Sequence, residues 1–286
     1  MAEQKIALIT DSTSDIPKSH AEAYGIEVVP MRIVYKNEEF LEGVNITSEE
    51  VYERFAQEVP KTSTPALGDI ESVFQGLVDK GYTHAIVVTV SSGLSGTFNN
   101  FRIIAEEFSD KITSFVCDSK MLSREQSDLI EYAGELIKKG KDFSYISEAL
   151  IKLRDRCKLF FTLDTLEFLI KGGRIGKVSG TIGELLKIKP IVTMDENGAF
   201  TNFEKVRGSK QSFRRMTELA TEWIAKGKTT VHIVHGGALD AANRFKEVIE
   251  NLPNVMSIDI THLGPTIGVH TGPGVLAFAL TPETED

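Results

Sequence analysis

Three times in the first half of the chain, a short run of β-branched and apolar residues enters a turn and is followed by helical periodicity. Lys5 to Thr10 leads into DSTSD, Ala85 to Val90 into SSGLSG, and Ser114 to Cys117 into DSK. Strands joined by crossover helices run parallel, because each crossover returns the chain to the end of the sheet from which it started. Helices are expected over residues 16–24, 70–80, 98–108 and 126–138, the last stopped by Gly140. In a parallel sheet ligands gather at the carboxyl ends of the strands, so DSTSD and SSGLSG are expected side by side on one rim.

From about Phe143 the pattern changes. A helix through Arg156 precedes a strand over 159–163, a helical stretch running to KGGRIGKVSG, and a helix over 182–186. IVTMDENGAFTNFEKV then reads as a hairpin, its Asn197-Gly198 pair suiting a tight turn. Helices over 211–225 and 239–251 alternate with strands over 230–234, 256–261 and 275–280. The expectation is an α/β protein of two domains: a three-layer parallel α/β domain over 1–155 and an α+β domain over 156–286, with a ligand between them. With 286 residues, 41% of them apolar, the chain has enough material for two cores.

The formal charge of −9 argues against a nucleic-acid partner, which needs a positive face to displace counterions from phosphates. No apolar run approaches the length that spans a bilayer and the chain opens on charged residues, so a cytoplasmic protein is expected. Cys117 and Cys157 have no CxxC spacing and are expected as reduced core thiols, without a disulfide framework or a zinc site. Basic residues cluster in the second half: Lys171, Arg174 and Lys177, then Lys187 and Lys189, then Lys205, Arg207, Lys210, Arg214 and Arg215. These form either solvated faces or a docking patch for an anionic partner.

Residues 88–100, VTVSSGLSGTFNN, place Ser95 after a strand and a Gly-rich turn, just ahead of a helix, the order found at a hydrolase nucleophile. That elbow requires Gly-x-Ser-x-Gly, whereas Gly93-Leu94-Ser95 is followed at once by Gly96 and Thr97. Nothing in the spacing designates His235 or His270 as a base. Neither a Walker motif nor a dinucleotide fingerprint is present. What remains is a loop of amides and hydroxyls, Ser91, Ser92, Ser95 and Thr97, entering a helix and suited to one carboxylate. The plainer alternative is that Ser95 or Thr97 caps the helix. KTSTPALGD, residues 61–69, supplies a second hydroxyl cluster in which Pro65 favours an extended Thr64, and together the two could form the sides of a carboxylate clamp. Asp11, Asp15 and Asp118 lie near strand ends where magnesium could bind, but Asp11 and Asp15 read better as turn and capping residues.

ITDSTSDIP, KTSTPALGD, SSGLSGTFNN, CDSK, LIKGGRIGKVSG, LKIKPI and HTGPG occur in this order. On these motifs the chain resembles, essentially end to end, the DegV family, and in particular its fatty-acid-binding members that serve bacterial fatty acid kinase. The resemblance implies a protein that holds one long-chain fatty acid in a buried tunnel and catalyses nothing alone. The kinase catalytic subunit would phosphorylate the bound acid's carboxyl group, giving an acyl-phosphate for phospholipid synthesis; the basic cluster could dock that kinase, transiently touch anionic lipid at a membrane surface, or do both in turn. Carried over by motif, Thr62 and Ser95 would bind the carboxylate, with Ser92 and Gly96 of the same loop and His270 of HTG. Arg174 of KGGR would join the polar network. Arg207 of KVRG would face the kinase or the phosphate, although Val206 stands where relatives often have alanine. No cofactor, metal or catalytic residue is implied. An acyl chain of ~16 carbons buries ~14 methylenes at ~0.8 kcal/mol each, a gross gain of about 11 kcal/mol. Desolvating an unpaired carboxylate costs several kcal/mol, which the hydroxyls and amides would offset. Phe160, Leu163, Leu166, Phe168, Leu169, Ile170, Leu185 and Ile188 are candidate tunnel linings, or ordinary core. The competing reading is a stand-alone acyl ester or acyl-phosphate hydrolase with Ser95 as nucleophile.

Overall fold

The computed structural model describes residues 4–176, 178 and 189–284. Strands β1 (Ile6–Asp11), β2 (Ile26–Val29), β6 (His84–Thr89) and β7 (Thr113–Asp118) form a wholly parallel sheet in the order β2-β1-β6-β7. After Ile6, every residue of β1 is buried, as expected where helices cover both faces of a sheet. Alternate side chains enter two different cores. Ala7, Ile9 and Val87 pack under Ile70, Phe74, Phe101 and Ile104 of the Leu67–Asp79 and Thr97–Glu107 helices. Leu8, Ile86 and Val88 face the Arg124–Lys138 and Phe143–Arg154 helices on the other side.

A small antiparallel sheet, which the sequence pattern does not announce, joins β3 (Arg32–Val34), β4 (Glu39–Leu41) and β5 (Lys61–Ser63) in the order β4-β3-β5. The C-terminal sheet contains β8 (Lys158–Thr162), β9 (Lys189–Met194), β10 (Phe200–Val206), β11 (Thr229–Gly236), β12 (Val255–His262) and β13 (Val275–Pro282). Its order is β10-β9-β8-β13-β11-β12, parallel only between β11 and β12. One face carries Phe160, Ile191, Ile233 and Phe278 beneath the Ser209–Ile224 and Leu239–Ile249 helices. The other contributes Leu159, Phe161, Val192 and Ala277 to the same apolar cluster as Leu8 and Ile86. The largest core therefore lies between the two sheets.

A polar pin crosses this junction. His232 on β11 lies 2.9 Å from both Asp128 and Asp259, with buried Arg124 beside them. Burial opposes charge on His232, but the two carboxylates outweigh it and push the imidazole up to about 9.

Among the described residues the expected helices and strands are present, with ends displaced by a few residues. The helix expected over 182–186, together with Lys177, Leu185, Lys187 and Ile188, lies outside the described residues. Cys117 and Cys157 are buried free thiols, and burial pushes Cys117 up to about 12, which keeps it unreactive. Among the described residues no helix is long and apolar enough to cross a membrane.

Candidate functional site

Asp11 joins the turns that follow β1 and β6. Its carboxylate accepts hydrogen bonds from the N–H and hydroxyl of Thr13 and, at 2.8 Å, from the Val90 N–H. DSTSD and SSGLSG accordingly share one rim, with Thr10 paired to Val88.

Facing that rim is the short helix Pro265–Thr271, whose start is gripped by two buried carboxyl groups. Asp15 accepts from the Gly264 N–H at 3.0 Å and from the Ser123 hydroxyl, while Glu42 accepts from the Thr266 N–H at 2.8 Å and from the Ser12 hydroxyl. The unpaired amides of a helix start need such acceptors. Burial drives Asp15 up to about 8; the Ser123 hydrogen bond opposes the shift and the nearby Glu42 adds to it.

An unfolded aspartate titrates near ~4, so between about pH 4 and 8 the folded chain holds more protons than the unfolded one. Stability should therefore fall as pH rises through this window, by up to ~1.4 kcal/mol per pH unit from Asp15 alone. Asp15→Asn keeps an acceptor for the Gly264 N–H and turns an amide NH2, which donates to the Ser123 hydroxyl oxygen, to the place where the carboxyl accepted from it. It is expected to flatten the decline in denaturant-measured stability between about pH 5 and 8; an unchanged slope contradicts the assignment.

At the other end of this helix, His270 Nε2 lies 2.7 Å from Thr62 Oγ1, joining residues 208 positions apart. Its Nδ1 is buried without a partner among the described residues and faces Gly172, where an added Cβ would lie 2.1 Å away. Burial, helped by the charge of Arg174, pulls the ring down to about 4, so it is neutral near pH 7. In the tautomer whose Nε2–H donates to Thr62, the Thr62 proton is released to a ligand.

Arg174 ties two turns together, Nε donating to the Leu94 carbonyl at 3.1 Å and Nη1 to the Gly172 carbonyl at 2.7 Å. Ser95 Oγ sits 2.8 Å from Thr97 Oγ1 and accepts the Thr97 N–H, so it supports the start of the Thr97–Glu107 helix while also facing the site. Gly96 is that helix's N-cap. The Ser95 hydroxyl thus bonds to Thr97, and His270, which lines the same cavity, bonds to Thr62, so among the described residues these two are not paired with each other.

These groups enclose a cavity of about 40 Å³. Its polar wall is Thr13, Thr62, Ser95, Arg174, Thr266 and His270; its apolar wall is Met31, Val90, Leu94, Leu122, Phe200 and Ile267. Leu94, Ser95, Arg174 and Phe200 also line a more polar outer recess of about 360 Å³. The tip of the β9–β10 hairpin closes over this region, with Ser91 Oγ donating to the Gly198 carbonyl at 2.7 Å and Lys120 Nζ to the Glu196 carbonyl at 2.8 Å.

Thr62, Ser95, Arg174 and His270 converge on this cavity, whereas Ser92 and the described tunnel candidates lie outside it. Ser92 donates its hydroxyl to Asp118 at 2.5 Å and lines only the outer recess, because its N–H is also drawn to that carboxylate. Arg207 stands on the exposed turn after β10 and lines neither space. The described tunnel candidates line the inner cavity nowhere: Phe160 belongs to the outer core, Leu163, Leu166 and Leu169 to the central core, Phe168 stacks on Phe55, and Ile170 is exposed. Thr266, Met31 and Phe200 were not foreseen, and Thr266 has a buried hydroxyl without a partner among the described residues. Asp11, Asp15 and Asp118 serve separate hydrogen-bond networks, and among the described residues no cluster of three or more His, Cys, Asp or Glu could hold a metal.

Fold and site together define a two-sheet α/β protein whose junction encloses a small cavity headed by hydroxyls, one arginine and a neutral histidine. The chain belongs to the DegV family: the family model, described as an uncharacterised protein of the DegV family, matches residues 5–283. A DegV domain-containing protein of Clostridium acetobutylicum is 42% identical over 277 residues, covering 97% of this chain and 99% of that protein. The solved structure of a fatty acid binding DegV family protein from Streptococcus agalactiae has a TM-score of 0.92 at 30% identity, covering 99% of this chain and 100% of that one. DegV from Bacillus subtilis, described as a fatty acid binding protein, has a TM-score of 0.90 at 30% identity, covering 98% and 100%.

Proposed function

We propose that the protein binds one long-chain fatty acid at the sheet junction and presents its carboxylate, through the outer recess, to a partner kinase for acyl-phosphate formation. In this reading it acts in the cytoplasm, supplies phospholipid synthesis and performs no chemistry alone. The observation that carries the reading is the placement of one fixed cation and several hydroxyls where an apolar cavity meets a polar recess. A monoanionic head group is matched there by Arg174, Thr62 and Ser95, while His270, neutral near pH 7, adds no second charge. The similar structures described as fatty acid binding support the choice of ligand.

A cavity of about 40 Å³ is far below the ~300–1,000 Å³ of ligand pockets, so seating an acyl chain requires the apolar wall to part. Binding is then coupled to repacking, and added acid is expected to raise Tm in a concentration-dependent manner. Calorimetric titration of delipidated protein with oleate tests the placement. Thr62→Ala and Arg174→Ala should each weaken binding about tenfold or more, the worth of a hydrogen bond to a charged group. Unchanged affinity in both variants rules out this head-group site.

Arg207 is given the docking role because it is an exposed cation without an ion pair among the described residues, unlike Arg214 and Arg215, which are held by Glu218, Glu204 and Glu222. Arg207→Glu should impair acyl-phosphate formation with kinase and ATP more than it impairs acid retention. Equal loss of both contradicts docking.

A further inference from the structure

We propose a second binding site, sharing no residue with the first, for a small phosphomonoester. It lies where β8 and β11 end and β13 begins, beneath the first turns of the Ser209–Ile224 and Leu239–Ile249 helices. The pocket measures about 460 Å³, within the ~300–1,000 Å³ range of small-molecule sites.

Among the described residues its rim carries Lys189, Lys210 and Arg244 against a single carboxylate, Asp164, which is already held by Lys189 at 2.5 Å. Lys210 and Arg244 are exposed and have no ion pair among the described residues. Three cations and one carboxylate leave two positive charges, in a chain whose formal charge is −9.

The deep wall holds a separate indication of an anion. Ser212 is 2% exposed, and its hydroxyl lies 2.8 Å from that of Thr162. Neither hydroxyl has another partner among the described residues. Two hydroxyls carry two protons and one mutual hydrogen bond uses only one, so a donor at the buried wall is left for an acceptor supplied from outside the chain. Both helices begin at the pocket without a side-chain cap, which adds first-turn amides and favourable potential for negative charge.

Charge and shape then select the ligand class. A phosphate dianion matches the two uncompensated charges, and its oxygens can accept from Lys210, Arg244 and the hydroxyl pair. A bare phosphate leaves most of the pocket unfilled. Leu163, Phe213, Ala241 and Leu276 form an apolar wall suited to an organic substituent.

Calorimetry on the full chain at fixed ionic strength, with phenyl phosphate, inorganic phosphate and phosphatidic acid vesicles as probes, tests the site. Saturable binding of one phenyl phosphate is expected, weakened about tenfold or more in Lys210→Ala/Arg244→Ala, with oleate binding unchanged. Ser212→Ala, checked for an unaltered melting curve, should weaken it as well. Absence of saturable phenyl phosphate binding, or affinity unchanged in the double variant, overturns the site. Inorganic phosphate binding as tightly as phenyl phosphate overturns the organic part. Binding to the vesicles alone overturns a soluble ester in favour of a lipid headgroup.

Discussion

Gly172→Ala is expected to abolish retention of a fatty acid while leaving a folded protein. A Cβ at this position would sit 2.1 Å from His270 Nδ1, 2.8 Å from Cε1 and 3.1 Å from the Phe168 carbonyl oxygen. The imidazole cannot simply swing aside, because it is buried in the last turn of its helix and held through Nε2 by Thr62. Displacing it breaks the 2.7 Å contact and misdirects the Thr62 hydroxyl. Loss of the Thr62 donor, a hydrogen bond to a charged group, corresponds to about a ten- to a hundredfold loss of affinity, and the displaced ring also intrudes on the cavity that His270 lines. Overpacking costs ~1–3 kcal/mol, which a protein of this size can absorb. Oleate titration and thermal melting separate the two effects. Gly76→Ala, in a helix with nothing within 4 Å of the added methyl, serves as the control and should alter neither binding nor fold. Normal oleate affinity in Gly172→Ala means that the His270–Thr62 pair does not set the head-group site.

Gly93→Ala should have the largest effect on stability. The added Cβ would meet Asn197 O, Gly198 C and Gly198 O, each at 2.6 Å, and all three are backbone atoms. No side-chain rotation relieves such a clash, so the hairpin tip has to lift from SSGLSG, loosening the Ser91–Gly198 and Lys120–Glu196 hydrogen bonds. A cost of ~3 kcal/mol or more is expected from overpacking plus lost hydrogen bonds, equivalent to roughly 6–12 °C in Tm. Phe200, the first strand residue after the hairpin turn, lines both cavity and recess, so acid retention should fall as well. A Tm within a degree or two of the parent contradicts the contact.

The two-turn rim was legible because strand–turn–helix repetition dictates a parallel sheet, and parallel pairing leaves no other place for DSTSD and SSGLSG. Asp11 reads locally as a turn residue, and it is one, but its bond to Val90 depends on a strand that follows 70-odd residues later and becomes visible only in the fold. The family resemblance supplied Arg174 and His270; their joint effect, one fixed charge beside a neutral ring, depends on burial that no short motif encodes. That the tunnel candidates do not line the inner cavity has a physical reason. Alternation along β8 separates Phe160 from Leu159 and Phe161, but it does not say which face meets a cavity and which meets a helix. Thr266 carried no signal of its own, because its place is set by Glu42 holding a helix start more than 200 residues away in sequence. Ser92 was misplaced because a loop hydroxyl gives no warning that Asp118 lies within 2.5 Å of it.

Mass spectrometry of the purified protein, recorded under native conditions and again after denaturation, tests fatty-acid binding most directly. The predicted result is a native mass exceeding the chain by one long-chain fatty acid, released unmodified on denaturation and missing from Gly172→Ala. A bare chain that takes up neither added oleate nor palmitate contradicts it.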